Sequence, residues 1–161
     1  MSDFITGNVL AACHPKIREL CDYWRSIHPP DHLPGRQHFD PCDVAPLLPD
    51  IYLLDVCPQT ADLTFRLMGT GLVTLFGHDY TGLPFEQAYT SGKGSYSYRD
   101  ITDMLETKQP RWRQARAMFA AGRDYLTLER VILPLAKDGT TVDIVLGMVV
   151  TVRVDSSTTG F

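Results

Sequence analysis

The stretch Phe65–Phe85, FRLMGTGLVTLFGHDYTGLPF, carries glycines at 69, 71, 77 and 82, and their reading decides the fold class. Glycines that follow a strand either cradle a phosphate or turn the backbone. A dinucleotide fingerprint needs a third glycine three residues after the second, and Thr74 stands there instead. No β-α-β alternation surrounds the stretch, so the phosphate reading fails on spacing and on context. The spacing predicts that Gly69 and Gly71 release the chain from a strand and that Leu72–Phe76 make a short helical turn. Gly77 ends that turn, and Gly82 bends the chain before Pro84.

Upstream, IYLLDVC (Ile51–Cys57) and LTFRLMG (Leu63–Gly69) are β-rich runs separated by a Pro58–Asp62 turn, which reads as a hairpin. Before them, His28–Pro49 is a proline-rich connector with a helical turn around Val44–Leu48. Earlier still, Pro15 suits the first turn of a helix. Ile17, Leu20, Cys21, Trp24 and Ile27 then recur at helical spacing until Pro29-Pro30 stops them. That apolar stripe covers either the domain's own sheet or a partner's helix, and the sequence leaves both uses open.

Downstream, the loop TSGKGS leads to a helix over Tyr96–Gln109, with Ile101, Met104, Leu105 and Lys108 on one face and Pro110 ending it. The remainder reads as three strands, joined by Gly122-Arg123-Asp124 and by Lys137-Asp138-Gly139. The Asp-Gly pair is the strongest hairpin signal in the chain. In the last strand Val142, Ile144, Leu146, Met148, Val150 and Val152 alternate, which marks their face as the buried side. This order predicts an α+β domain: a five-stranded antiparallel sheet covered on one face by short helices, plus an N-terminal amphipathic helix. The expected divisions are a tail (1–13), the N-terminal helix (14–28), the connector (29–49), the core (50–152) and a disordered tail (153–161).

A chain of 161 residues fits one domain and can bury about two thirds of its unfolded surface. Its 44% hydrophobic and 21% charged residues are ordinary for a globular protein. A net charge of −4 lacks the basic excess of a nucleic-acid binder. The start, MSDFITGNVLAACHPK, lacks the pattern of a signal peptide, and no apolar run is long enough to span a membrane. Cys13, Cys21, Cys42 and Cys57 form no C-x-x-C pair and read as reduced thiols of a cytoplasmic protein.

The element order completes a resemblance. The helix ending in Tyr23-Trp24, the segment DPCDVAPLLPDIYLLDV (Asp40–Val56), FRLMGTGLVTLFGHDYTG (Phe65–Gly82) and ERVILPLAKDGTTVDIVLGMVV (Glu129–Val150) together resemble a PAS domain. The likeness is to single-domain bacterial PAS proteins of the alphaproteobacterial type, and it covers roughly residues 14 to 152. It implies a sensory or protein-interaction module without catalysis. PAS domains hold a small ligand, haem or flavin between sheet and helices, or hold nothing. They often dimerise through an N-terminal helix, which makes Trp24 and its apolar neighbours the expected homodimer seam. No kinase, diguanylate cyclase or helix-turn-helix is seen in the chain, so output is expected to pass through a signalling partner. There is no cysteine between Leu72 and Tyr96 for a flavin adduct and no histidine in Tyr96–Gln109 for haem. The resemblance therefore points to a small apolar or weakly polar metabolite instead.

Candidate site residues are Phe65, Arg66, Leu67, Phe76, Met104, Trp112, Met118, Arg130 and Met148. Trp112, Met118, Phe76, Met148 and Phe119 either line a cavity between sheet and helices or fill the core. Arg66 and Arg130 lie within strands, where a buried guanidinium needs a carboxylate or a ligand anion. For Arg66 the simpler partner is Asp55 or Glu129 on the sheet's other face. His28, Asp31, His32, His38 and Asp40 have the residue types of a zinc site. The prolines between them favour a solvated connector, and no metal is expected. His78-Asp79 is the one adjacent pair with the types of a base and its orienter, and helix capping at Gly77 explains it without catalysis. A ligand-free interaction domain and, less favoured, a small α+β enzyme using His78 and Asp79 remain the alternatives.

Overall fold

A computed structural model describes residues 3–4, 12–122 and 126–152. The elements follow in the order β1 (Asp3–Phe4), α1 (Pro15–Ser26), β2 (Ile51–Val56), β3 (Leu63–Met68), α2 (Thr70–Phe76), α3 (Tyr96–Thr107), β4 (Arg111–Arg116), β5 (Thr127–Leu135) and β6 (Ile144–Thr151). Short 3-10 turns occupy Arg36–His38, Pro41–Asp50, Phe85–Ala88 and Gly92–Gly94. The strands form one antiparallel sheet in the order β1-β4-β5-β6-β2-β3. Five of them are the expected strands. The sixth, β1, extends the β4 edge from within the segment expected to be a tail. The tail expected over 153–161, and Arg123-Asp124 of one expected turn, lie outside the described residues.

Both faces of the sheet are buried, and strand alternation sorts the side chains between them. On the first face Tyr52, Leu54, Phe65, Val145 and Val149 meet Leu72, Phe76, Phe85, Ile101 and Met104 from α2, α3 and the turns between them. On the second face Ile51, Leu53, Val131, Leu133, Leu146 and Met148 meet Ile17, Leu20, Cys21 and Trp24 of α1, with Val44 and Leu47 of the connector. The alternating set in the last strand thus marks one buried side of two. Ile144, Leu146, Met148 and Val150 face α1, whereas Val142, expected with them but lying before the strand, joins Val145 and Val149 on the side of α2 and α3.

The start of α1 is fixed by Pro15 in its first turn and by His14, whose Nδ1 accepts from the Lys16 N–H at 3.1 Å. Of the two uses the sequence allowed for the apolar stripe, the structure shows the first: it lies on the chain's own sheet. Trp24 is 7% exposed and donates its indole N–H to the Pro134 carbonyl at 3.0 Å. In the opening stretch Gly69 caps the start of α2, and Gly77 ends it in the left-handed region at φ 80°. Gly147 lies opposite Tyr52 in the β2–β6 register. A Cβ at that position would come closer than 3.0 Å to three atoms of the Tyr52 ring, so the aromatic ring lies directly on the glycine backbone.

Candidate functional site

Arg113 on β4 and Arg130 on β5 are directly opposed in the sheet. Like charges placed so repel, and the strand pair needs an anion between them. Asp100 supplies it from α3. Arg113 grips its carboxylate through Nε at 2.6 Å and Nη2 at 2.9 Å, and Arg130 donates to it through Nη2. Arg130 also donates through Nη1 to Ser97 Oγ, one turn earlier on the same helix. Asp100 is 2% exposed and Arg130 6%, so the bridge is buried. Helix spacing explains the geometry, because Ser97, Asp100, Ile101 and Met104 recur at intervals of three and four and share the inner side of α3.

Two further hydroxyls close around this bridge. Burial pushes the Tyr89 phenol up, while the Arg130 guanidinium acts against that shift. Burial also pushes Tyr52 up, with Tyr89 and Asp100 adding to it and Arg130 opposing. The Tyr52 hydroxyl and the Arg130 Nε are buried with no hydrogen-bond partner.

Beside the bridge lies a cavity of about 280 Å³ between the α3 N-terminus and β4–β5. Its charged and polar lining includes Ser95, Ser97, Arg99, Arg113, Arg116 and Arg130, and its apolar wall includes Ala115, Ala117, Met118, Phe119, Leu128 and Val149. At its edge the Tyr96 ring, 56% exposed, lies 4.9 Å from the Arg99 guanidinium and 4.8 Å from that of Arg113. Deeper, beneath β2 and β3, the space is filled by rings. Phe76 stacks on Phe119 at 3.9 Å, and Phe65 and Phe85 lie 5.3 Å apart.

The structure divides the sequence-derived candidates. Met118 and Arg130 line the cavity. Phe65, Phe76 and Met104 belong to the packed cluster on the same side. Met148 and Trp112 belong to the opposite side: alternation turns Met148 toward α1, and the Trp112 indole donates to Glu129 at 2.8 Å. Arg66 is exposed and paired with Asp55 at 3.0 Å, the simpler of its two readings. Leu67 is 45% exposed and lines a separate open groove with Pro41, Leu48 and Leu53. A register irregularity between Leu53 and Leu54 shifts how β3 faces the sheet, which places Arg66 and Leu67 together on the outside.

The residues missed were Asp100, Ser97, Arg113 and Tyr89. Their signal was present: continuing the Ile101–Met104 stripe backwards by four reaches Ser97 and Asp100, two polar residues on a buried face. Of the remaining candidates, Asp79 accepts from Thr81 N at 3.0 Å and Oγ1 at 2.7 Å, so its carboxylate closes a turn. The His78 ring packs edge-on to Tyr80 at 4.8 Å. In the connector the His28 Nδ1 lies 2.8 Å from the Trp24 carbonyl oxygen, and the His38 Nδ1 accepts from the Gly35 N–H at 2.9 Å. Among the described residues no group of three or more His, Cys, Asp or Glu side chains is placed to hold a metal ion. Nor is any helix among them long and apolar enough to cross a membrane.

The chain is thus an antiparallel sheet with α2, α3 and short turns packed on one face, α1 on the other, and a polar bridge beside a cavity. The PAS domain family model matches residues 12–150, and the chain belongs to that family. Solved structures agree at the level of the fold. The light-oxygen-voltage (LOV) protein of Rhodobacter sphaeroides aligns over 86% of this chain and 70% of its own, at 11% identity and a TM-score of 0.53. A fungal LOV domain photoreceptor aligns over 84% of this chain and 91% of its own, at 15% identity and 0.53. An RNA-binding LOV receptor aligns over 94% of this chain at 14% identity and 0.54, and the match spans 38% of that receptor. No protein of curated function matches the sequence.

Proposed function

We propose that this chain is a sensory module of signal transduction that binds a small molecule in the cavity between α3 and β4–β5 and acts without catalysis. The observation that carries this reading is the Asp100 bridge. It ties the helix α3 to two strands at the wall of the cavity. A ligand that alters this tie favours one position of α3 over another, and a differential affinity of a few kcal/mol moves such an equilibrium. The surface of α3 then presents the change to a signalling partner.

The residues present do not fit a cysteinyl-flavin photoreceptor. Cys13 and Cys21 pack on the α1 side, Cys42 is exposed, and Cys57 lies just after β2. The interior beneath β2 and β3 is packed with the chain's own rings. The same packing favours a second reading, an interaction module that holds no ligand. Native mass spectrometry of the full chain, gently purified from cells, separates the two. A retained small molecule supports the sensory reading, and bare chain throughout supports the second.

A further inference from the structure

The chemistry of the cavity selects its ligand, an inference that rests on the sensory reading. Among the described residues its lining carries four guanidiniums, from Arg99, Arg113, Arg116 and Arg130, and no carboxylate. Asp100, behind the lining, is bonded to two of them. Arg130 is buried, and its Nε has no partner. A buried donor left unmatched costs free energy that an incoming acceptor recovers. The α3 N-terminus forms a second wall, with Ser95 as its cap, and the aligned peptide dipoles add positive potential at that end. The rest of the wall, from Ala115 to Val149, is apolar. A volume of about 280 Å³ is at the small end for small-molecule sites.

We infer that the cavity takes a small organic anion: one carboxylate, met by the guanidiniums of Arg130 and Arg113, on a compact apolar body seated against Met118, Phe119 and Leu128. A neutral, apolar metabolite of the same shape leaves the buried Arg130 Nε without an acceptor and strips water from the rim cations Arg99 and Arg116. The carboxylate is distinguished from a bare inorganic anion by the apolar wall, which phosphate or sulfate does not use.

The test is an NMR titration of the isotope-labelled full chain with benzoate, its neutral isostere benzamide, and inorganic phosphate. Benzoate is expected to shift the backbone signals of Ser97, Arg113, Met118 and Arg130 saturably and to bind about tenfold or more tightly than benzamide or phosphate. Arg130→Met is expected to abolish the preference for benzoate. Since that change also breaks a buried bridge, the exposed rim variants Arg99→Gln and Arg116→Gln are made together. They are expected to weaken benzoate about threefold or more and to leave benzamide unchanged. Equal binding of benzoate and benzamide at the cavity overturns the anion assignment while leaving the sensory reading intact. Tighter binding of phosphate than benzoate overturns the apolar part. Absence of saturable shifts at the cavity with any of the three overturns the inference, and a small molecule retained in native mass spectrometry would still support the sensory reading.

Discussion

Trp24 donates its indole N–H to the carbonyl of Pro134 at 3.0 Å, joining α1 to the one part of β5 that β4 does not reach. The β4–β5 ladder ends at Ile132, so the last residues of β5 have an open edge there. Proline costs no ladder hydrogen bond at such an edge, and its carbonyl remains available as an acceptor. The indole therefore serves both as packing and as a donor to a backbone group near the sheet's limit. Trp24→Ala is expected to lower stability by about 3–5 kcal/mol. Trp24→Phe keeps most of the packing and should cost about 1 kcal/mol for the lost hydrogen bond. Urea denaturation midpoints of the three proteins check this.

Asp100 holds two opposed guanidiniums apart from each other's repulsion in a buried site. Removing it leaves both charges in a poorly solvated space, so Asp100→Ala is expected to cost about 3–5 kcal/mol. Replacing Arg113 and Arg130 by methionine in the same background should restore part of that loss. A double-mutant cycle by thermal or urea unfolding reads the coupling directly.

Alkali should unfold the protein through its buried acids. Burial pushes the Cys21 thiol up from an ordinary 9.0 to about 12. The native thiol therefore keeps its proton where the unfolded thiol has lost it. This contribution is complete below pH 9 and is lost as the pH climbs toward 12, at about 1.4 kcal/mol per pH unit. The buried phenols Tyr52 and Tyr89, also pushed up, act in the same direction from their ordinary 10.0 upward. Unfolding free energies measured between about pH 8 and pH 11 should fall, and Cys21→Ala should flatten the slope by about one proton.

Cysteine reactivity should follow environment. Hydrogen bonds from Thr60 and the turn backbone lower the Cys57 thiol, whereas burial raises Cys13 and Cys21. Iodoacetamide at neutral pH is expected to modify Cys57 before Cys13 and Cys21, because the thiolate is the nucleophile. Thr60→Val should slow that reaction. Peptide mapping by mass spectrometry gives the order.

The opening glycine stretch, the hairpin leading into it and the helix ended by Pro110 were legible because each carries local punctuation. Turns and caps are written in neighbouring residues. What covers a face is not. The stripe through Ile17, Leu20 and Trp24 announced a buried side but not its cover, since a sheet and a second helix offer the same apolar surface. The even-numbered residues of β6 looked like the single buried face because alternation alone cannot show that the odd set is buried too. That ambiguity put Met148 among the cavity candidates. Asp100 was missed for a different reason: its spacing from Met104 put it on the buried side, but an acid on a helix that also carries Asp103 and Glu106 reads as solvated until the two strands that oppose Arg113 and Arg130 are seen side by side.

When both faces of a strand are apolar, burial no longer penalises a slip by one residue, because every side chain moves from one core into another. For β6 that safeguard is absent, yet its pairing with β2 is single-valued where Tyr52 lies on Gly147. A slip in either direction would carry Leu146 or Met148 under the ring, where no Cβ fits. One residue without a side chain thus acts as the key that indexes the central strands, and through them it sets which face of the sheet Arg130 of β5 presents to the cavity.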